Sequence, residues 1–270
     1  MGILADVEID AGILAHYAEG QEHGRLTSGL SLELLRTRLL LERFLPAPPA
    51  RVLDVGGGSG VYASWLSSHG YQVHLIDPVP LHLEQARADG RFSVAPGDAR
   101  GLAEEDGSYD AVLLLGPLYH LTEREDRLRA LAEARRVTRP GGIVAAAVIS
   151  RYASTFDGFF RGLIDEPGFT ALMAADLKTG QHRNPDSHPG FFTTAYFHDR
   201  AGIASEITDS GLRLHDLLPI EGPLYWAPGI QDRLSDPDQR QLILGTLAAM
   251  EHDPAIAAAT AHLLAIGQHP

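Results

Sequence analysis

The chain has 270 residues, 44% of them apolar, a composition that suits one globular α/β domain with insertions and not a disordered or fibrous polymer. Its 35 acidic and 22 basic side chains leave a formal net charge of −13, and the arginines near residues 124–139 are interleaved with Glu and Asp. Such a surface repels a phosphate backbone, so nucleic acid is not the expected substrate, and the lack of cysteine excludes disulfides, thiolate zinc sites and thiol nucleophiles.

The first residues lack a basic region followed by a long apolar run, and no stretch reaches the roughly 18 uninterrupted apolar residues of a membrane span. The expectation is a soluble, cytoplasmic protein with no membrane partner. Helices are expected over residues 10–23 and 31–45, the second Leu-rich and closed by Pro46 and the stiff Ala-Pro-Pro that follows. From 51 to 150 the chain alternates short aliphatic runs with helical patterns, as a parallel sheet with crossover helices requires. Strands are expected at 52–55, 72–76, 93–95, 111–115 and 143–149, with helices at 62–69, 81–89 and 125–137. Pro140-Gly141-Gly142 reads as a tight turn into the fifth strand. Residues 151–198 show no regular alternation and are rich in Phe, Gly, His and Asp. Then come a helix at 199–210 with Asp199 as its cap, a strand at 212–220, helical pattern at 236–259 and a last short strand at 262–266. The last two strands are expected to pair antiparallel at one sheet edge.

The chemistry concentrates in Asp54-Val55-Gly56-Gly57-Gly58-Ser59-Gly60, where the first strand turns into its helix. Glycines there let the backbone turn sharply and approach a ligand. A dinucleotide loop would space three glycines as G-x-G-x-x-G around a pyrophosphate. Here Gly56, Gly58 and Gly60 alternate, and Asp54 puts a carboxylate where a pyrophosphate would be opposed and an amino-acid ammonium welcomed. This D-x-G-x-G-x-G pattern resembles motif I of the class I S-adenosylmethionine-dependent methyltransferases. Asp77, closing Leu75-Ile76-Asp77, resembles the family's acidic residue that bonds both ribose hydroxyls. Gly97-Asp98-Ala99 resembles its adenine-contacting turn, with Ala99 offering a backbone N–H. Gly116-Pro117-Leu118-Tyr119-His120 resembles the motif that lines the methionine part of the cofactor, and Arg139-Pro140-Gly141-Gly142 its usual approach to the fifth strand. Upstream, Tyr17 and Arg25 resemble an N-terminal Tyr…Arg-Leu segment that faces the cofactor's carboxylate.

The resemblance implies a Rossmann-like doubly wound α/β sheet, mostly parallel with an antiparallel edge strand, preceded by helices and carrying a lid-like insertion after the fifth strand. It implies a single domain: helical cap 1–48, cofactor core 51–150, lid insertion 151–198, and edge strands with a helical excursion at 199–270. The implied cofactor is S-adenosylmethionine, held by Tyr17, Arg25, Asp54, Gly56, Gly58, Gly60, Asp77, Asp98, Ala99, Gly116 and Leu118. The implied activity is methyl transfer to an O or N atom of a small molecule, such as a secondary metabolite or small peptide, by a monomer or homodimer. Tyr119, His120, Arg151, Tyr152, Phe160, Tyr196 and Trp226 are the candidate acceptor-binding residues. His198 and His182 are the candidate bases, since a histidine is the side chain most readily tuned to that task. No His pair is spaced on a helix as a zinc site needs, and Gly116–His120 offers no Asp or Asn for magnesium, so no metal is expected. A non-catalytic cofactor-binding scaffold is the alternative reading. A nicotinamide oxidoreductase is disfavoured by the glycine spacing and Asp54.

Overall fold

The computed structural model describes residue 13 and residues 31–184, 188 and 190–270. The helix expected at 10–23 therefore lies outside the described residues except for Ile13, which is buried. Helix α1 (Leu32–Phe44) starts at Ser31, whose side chain accepts from the Leu34 N–H, and buries Leu40 and Leu41 completely. There follow β1 (Arg51–Val55), α2 (Val61–Ser68), β2 (Gln72–Asp77), α3 (Pro80–Arg87), β3 (Ser93–Pro96), β4 (Tyr109–Leu114), the single turn α4 (Pro117–His120) and α5 (Arg124–Val137). Strand β5 (Thr138–Ile149) leads into α6 (Ala153–Phe160), α7 (Phe169–Thr179) and a small hairpin-like pair, β6 (Gln181–His182) and β7 (Ala195–Tyr196). Helix α8 (Arg200–Asp209), β8 (Arg213–Pro219), α9 (Ile230–Ser235), α10 (Pro237–Met250) and β9 (His262–Gln268) complete the chain.

Seven strands form one sheet in the order β3-β2-β1-β4-β5-β9-β8. The first five are parallel, and β9 runs antiparallel between β5 and β8. This is the expected doubly wound architecture, down to the antiparallel pairing of the last two strands. Side chains alternate across the sheet as a two-residue period dictates. Leu53, Val112, Leu114, Val144 and Ala146 face α5 and α8, while Val52, Ala111, Leu113 and Ala145 face α1, α2 and α3. Both faces are covered, so each Leu or Val of the central strands contributes roughly 1.5–3 kcal/mol of burial.

Three expectations are adjusted. Pro140-Gly141-Gly142 is no free-standing turn; it lies within β5, where Gly141, at φ +78°, donates to His269 O and Gly142 O accepts from the His269 N–H. The helix expected to 259 stops at Met250, because Pro254 supplies no N–H and disfavours helical geometry before it. The insertion is more regular than its composition suggests. Its two helices are set off by Gly162, Gly168 and Gly180, all in left-handed conformations that end one helix and begin the next.

Candidate active site

The order of the sheet reverses between β1 and β4, so the loops leaving their carboxyl ends splay apart and open a crevice. A pocket of about 270 Å³ occupies it. Its floor is the glycine loop. Gly56 N–H donates to Ile76 O (2.7 Å), which folds the loop back across β2. A Cβ on Gly56 would stand 2.9 Å from Pro117 Cδ, and one on Gly60 2.6 Å from Phe92 Cζ, so these two glycines answer to packing. Gly58 differs: it lines the pocket at φ +58°, and a Cβ there would meet no atom of the described residues closer than 4.0 Å. Its openness serves whatever enters the crevice.

Asp77 ends β2 with both carboxylate oxygens engaged. Oδ2 accepts from Gly58 N–H (2.9 Å); Oδ1 accepts from Val79 N–H (2.8 Å) and lies 3.1 Å from His82 Nδ1. Asp54, on β1 below the loop, is buried and lines the same pocket; the Ala63 backbone N–H at the start of α2 is its nearby donor, yet neither oxygen makes a hydrogen bond of normal geometry among the described residues. Burial, reinforced by the nearby Asp77 charge, pushes its carboxyl up to about 7. A buried carboxylate so weakly hydrogen-bonded is costly. The cationic amino-acid end of S-adenosylmethionine is a group that would relieve it, and on this observation the residues present fit that cofactor. Across the crevice, Asp98 is gripped by Arg100 through both oxygens (2.9 and 2.8 Å), and Arg100 also reaches Asp126 (3.2 Å). Any adenine contact at Asp98 would share that carboxylate with the guanidinium.

Of the residues singled out from sequence, Asp54, Gly56, Gly58, Asp77, Asp98, Ala99, Gly116, Tyr119 and His120 line the pocket. Gly60 caps α2 behind it, and Leu118 is wholly enclosed in the core. Tyr17 and Arg25 lie outside the described residues. The remaining candidates sit away from the pocket's described lining. His198 is fully enclosed, its Nε2 3.1 Å from Glu206 Oε2, and burial depresses its pKa. His182 is held between Asp176 (2.8 Å) and Phe192 O (3.3 Å) and stacks on Phe197. Tyr196 lies under the Arg127 guanidinium at 3.7 Å and bonds Arg151, whose Nε donates to Phe197 O. Trp226 donates to Asp157 and packs on Phe156, anchoring α6 to the segment after β8. Tyr152 and Phe160 are exposed on the insertion.

The sequence reading overlooked the pocket's other wall. Glu33 and Thr37 reach it from α1, Ile220 from the end of β8 and His262 from the start of β9. Thr37 Oγ1 is buried without a hydrogen-bond partner among the described residues. His262 is paired with Glu221, Nδ1 to Oε1 2.5 Å. No local motif marks these positions, because α1, β8 and β9 meet only after the sheet closes. Donor atoms of Glu33, Glu221 and His262 lie within 4.8 Å of one another. Ligands about 2.0–2.2 Å from one zinc or magnesium ion stand roughly 3 Å or more apart, so the 2.5 Å Glu221–His262 contact is a hydrogen bond.

A parallel sheet reversing at β1/β4, an alternating glycine loop and acids ending β1 and β2 define a nucleoside-binding class of α/β protein. Residues 52–142 match the model of the methyltransferase domain family. A ubiquinone biosynthesis O-methyltransferase from Xanthomonas oryzae pv. oryzae is 34% identical over 182 residues, covering 65% of this chain and 66% of that one. An S-adenosyl-L-methionine-dependent Diels-Alderase, iccD, from Talaromyces variabilis is 27% identical, covering 54% of this chain and 62% of its own length. A solved S-adenosylmethionine-dependent methyltransferase from Mesorhizobium loti superposes with a TM-score of 0.58 at 15% identity, over 88% of this chain and all of that one, which speaks for the fold alone. The chain spans between 41% and 66% of the length of the curated relatives it matches. Residues 52–142 are thus a methyltransferase domain, and the chain is similar to the class I S-adenosylmethionine-dependent methyltransferases, whose cofactor is S-adenosylmethionine.

Proposed function

We propose that this protein transfers the methyl group of S-adenosylmethionine to an O or N atom of a small molecule. The observation that carries the reading is the buried Asp54, which makes no hydrogen bond of normal geometry among the described residues and faces the same pocket as Asp77 and the open side of Gly58. Asp77 would hold the ribose, the glycine loop the amino-acid end, and Tyr119 and His120 the region near the sulfur. Bound there, the sulfonium supplies an electrophilic methyl, and the protein's task is to hold the acceptor in line with it. The acidic surface and the enclosed crevice favour a small acceptor. Turnover is checked by S-adenosylhomocysteine release from S-adenosylmethionine in the presence of a panel of phenols, carboxylates and amines. The cofactor site is checked separately by calorimetry: Asp77→Ala should weaken binding by about 1–3 kcal/mol, roughly 5- to 150-fold, and Asp77→Asn by less. Unchanged affinity in a folded Asp77→Ala protein would remove the site from this crevice.

A second reading follows from the likeness to the Diels-Alderase, which is named as dependent on the same cofactor. In that case the cofactor is retained while a bound substrate cyclises. Product formation without stoichiometric S-adenosylhomocysteine would favour it over methyl transfer.

A further inference from the structure

Resting on the methyltransferase reading, we propose that His262 is the general base that takes the proton from a hydroxyl acceptor, with Glu221 as its positioning residue. Glu221 follows β8 and His262 opens β9, so the pair spans two neighbouring antiparallel strands at the carboxyl edge of the sheet. Glu221 is completely enclosed. Its Oε2 accepts from the His262 backbone N–H (3.1 Å), and the Thr260 hydroxyl stands 3.2 Å from the same oxygen. Its Oε1 faces His262 Nδ1 at 2.5 Å. A carboxylate only accepts, so Nδ1 carries the ring proton and Nε2 is the basic nitrogen. His262 itself lines the pocket, beside Ile220 and Ala147, opposite the glycine loop's side. A fixed carboxylate behind a pocket histidine is the arrangement that orients an imidazole and stabilises its cation.

Among the described residues, the charged groups around the ring are Glu221 from the end of β8 and Glu33 from α1, with Arg161 beyond Glu221. Both carboxylates favour the protonated imidazole that base action produces. In the step, the acceptor O–H proton moves to Nε2 as an oxygen lone pair forms the bond to the methyl carbon. The pair of the breaking carbon–sulfur bond stays on sulfur, and the imidazolium then gives its proton to solvent. An acceptor that carries a titratable hydroxyl, phenol or enol, is the class this geometry serves. His198 and His182 have no such outlook, being bonded within buried clusters.

The test uses the full chain with 4-nitrocatechol and a panel of simple phenols and enols as acceptors. His262→Gln should lower kcat at least a hundredfold, as loss of a general base does, and abolish the acidic limb of the kcat/KM pH profile. Glu221→Gln should lower kcat less and shift that limb. Cofactor affinity by calorimetry should stay within twofold in both. Independently of turnover, the imidazole nitrogens of His262 in the ¹⁵N spectrum of the S-adenosylhomocysteine complex should report the Nδ1–H tautomer near neutral pH. Undiminished kcat in His262→Gln, an Nε2–H tautomer, or activity lost to EDTA and restored by magnesium would each overturn the proposal. A wild-type protein that turns over amines but no hydroxyl probe would do the same, and one inactive on every probe is judged by the tautomer. Failure to bind S-adenosylmethionine at all would instead strike the methyltransferase reading.

Discussion

Asp54 sits beneath the glycine loop with its pKa pushed up to about 7 by burial and by Asp77, opposed only by the Ala63 backbone N–H, and neither oxygen makes a hydrogen bond of normal geometry among the described residues. An acid raised in this way binds more protons folded than unfolded between about pH 4 and pH 7, so its contribution to stability is present at low pH and falls as pH rises through that window. A cofactor whose ammonium needs the charged form must then expel the proton. Calorimetry of S-adenosylmethionine binding at pH 6, in buffers of different ionisation enthalpy, should show a fraction of a proton released, declining to none by pH 8. Asp54→Asn should abolish that release; an identical proton count in the variant would mean that Asp54 does not face the cofactor. The Asp54 position was legible in the sequence because the chemistry is local. Seven residues, 54–60, carry the whole signal, and the strand-to-helix turn places them without help from distant parts of the chain. The condition of its carboxylate was not legible, since burial and the approach of Asp77 arise only when β1 and β2 pair.

At the scale of elements, the packing of α5 on α8 turns on one buried cluster. Arg127 on α5 donates through Nε and Nη2 to Glu206 on α8, and through Nη1 to Leu121 O and Thr122 O in the loop that borders the pocket. Glu206 also holds His198, and its own pKa, opposed by burial, is drawn down to about 2 by His198 and Arg127. A depressed carboxylate contributes stability above its unfolded pKa near 4.5 and loses it as pH falls toward 2; a histidine depressed by burial likewise loses stability as pH falls below about 6.5. Glu206→Ala should cost about 3–5 kcal/mol by leaving the Arg127 charge enclosed and unpaired. Urea unfolding checks it, and a loss below 1 kcal/mol would show that the cluster relaxes to water. The sequence marked His198 for its chemistry, and Asp199 as the cap of α8, where its side chain does accept from Gly202 N–H. What it lacked was Arg127 and Glu206, 79 residues apart and each unremarkable on its own helix. The insertion's first helix escaped for a related reason: α6 buries Ala153, Ser154 and Gly158 while Phe159 and Phe160 stand exposed at 64% and 65%, so its large apolar residues do not mark its buried side.

Across the whole molecule the pocket has two origins. One wall comes from contiguous sequence, residues 54–126, and carries the motifs; the other is assembled from α1, β5, β8 and β9, and carries none. Glu251, after α10, binds Arg36 and Arg43 of α1 at 2.6 Å each, so the helical excursion and the opening helix brace that second wall together. A ligand bridging the walls ties the chain's halves to one another, and its binding energy adds to global stability. At a hundred times its Kd, S-adenosylhomocysteine should stabilise the fold by about 2.7 kcal/mol, raising Tm by roughly 5–10 °C in a protein of this size. At one fixed ligand concentration the increase should be larger at pH 8 than at pH 6, because at the lower pH Asp54 is protonated in the free protein and binding must first expel that proton. Glu206 and His198 act alike with and without the ligand and drop out of the difference. Differential scanning fluorimetry at the two pH values reads the effect. A shift of equal size at both, or one that persists undiminished in Asp54→Asn, would separate cofactor binding from the buried carboxylate.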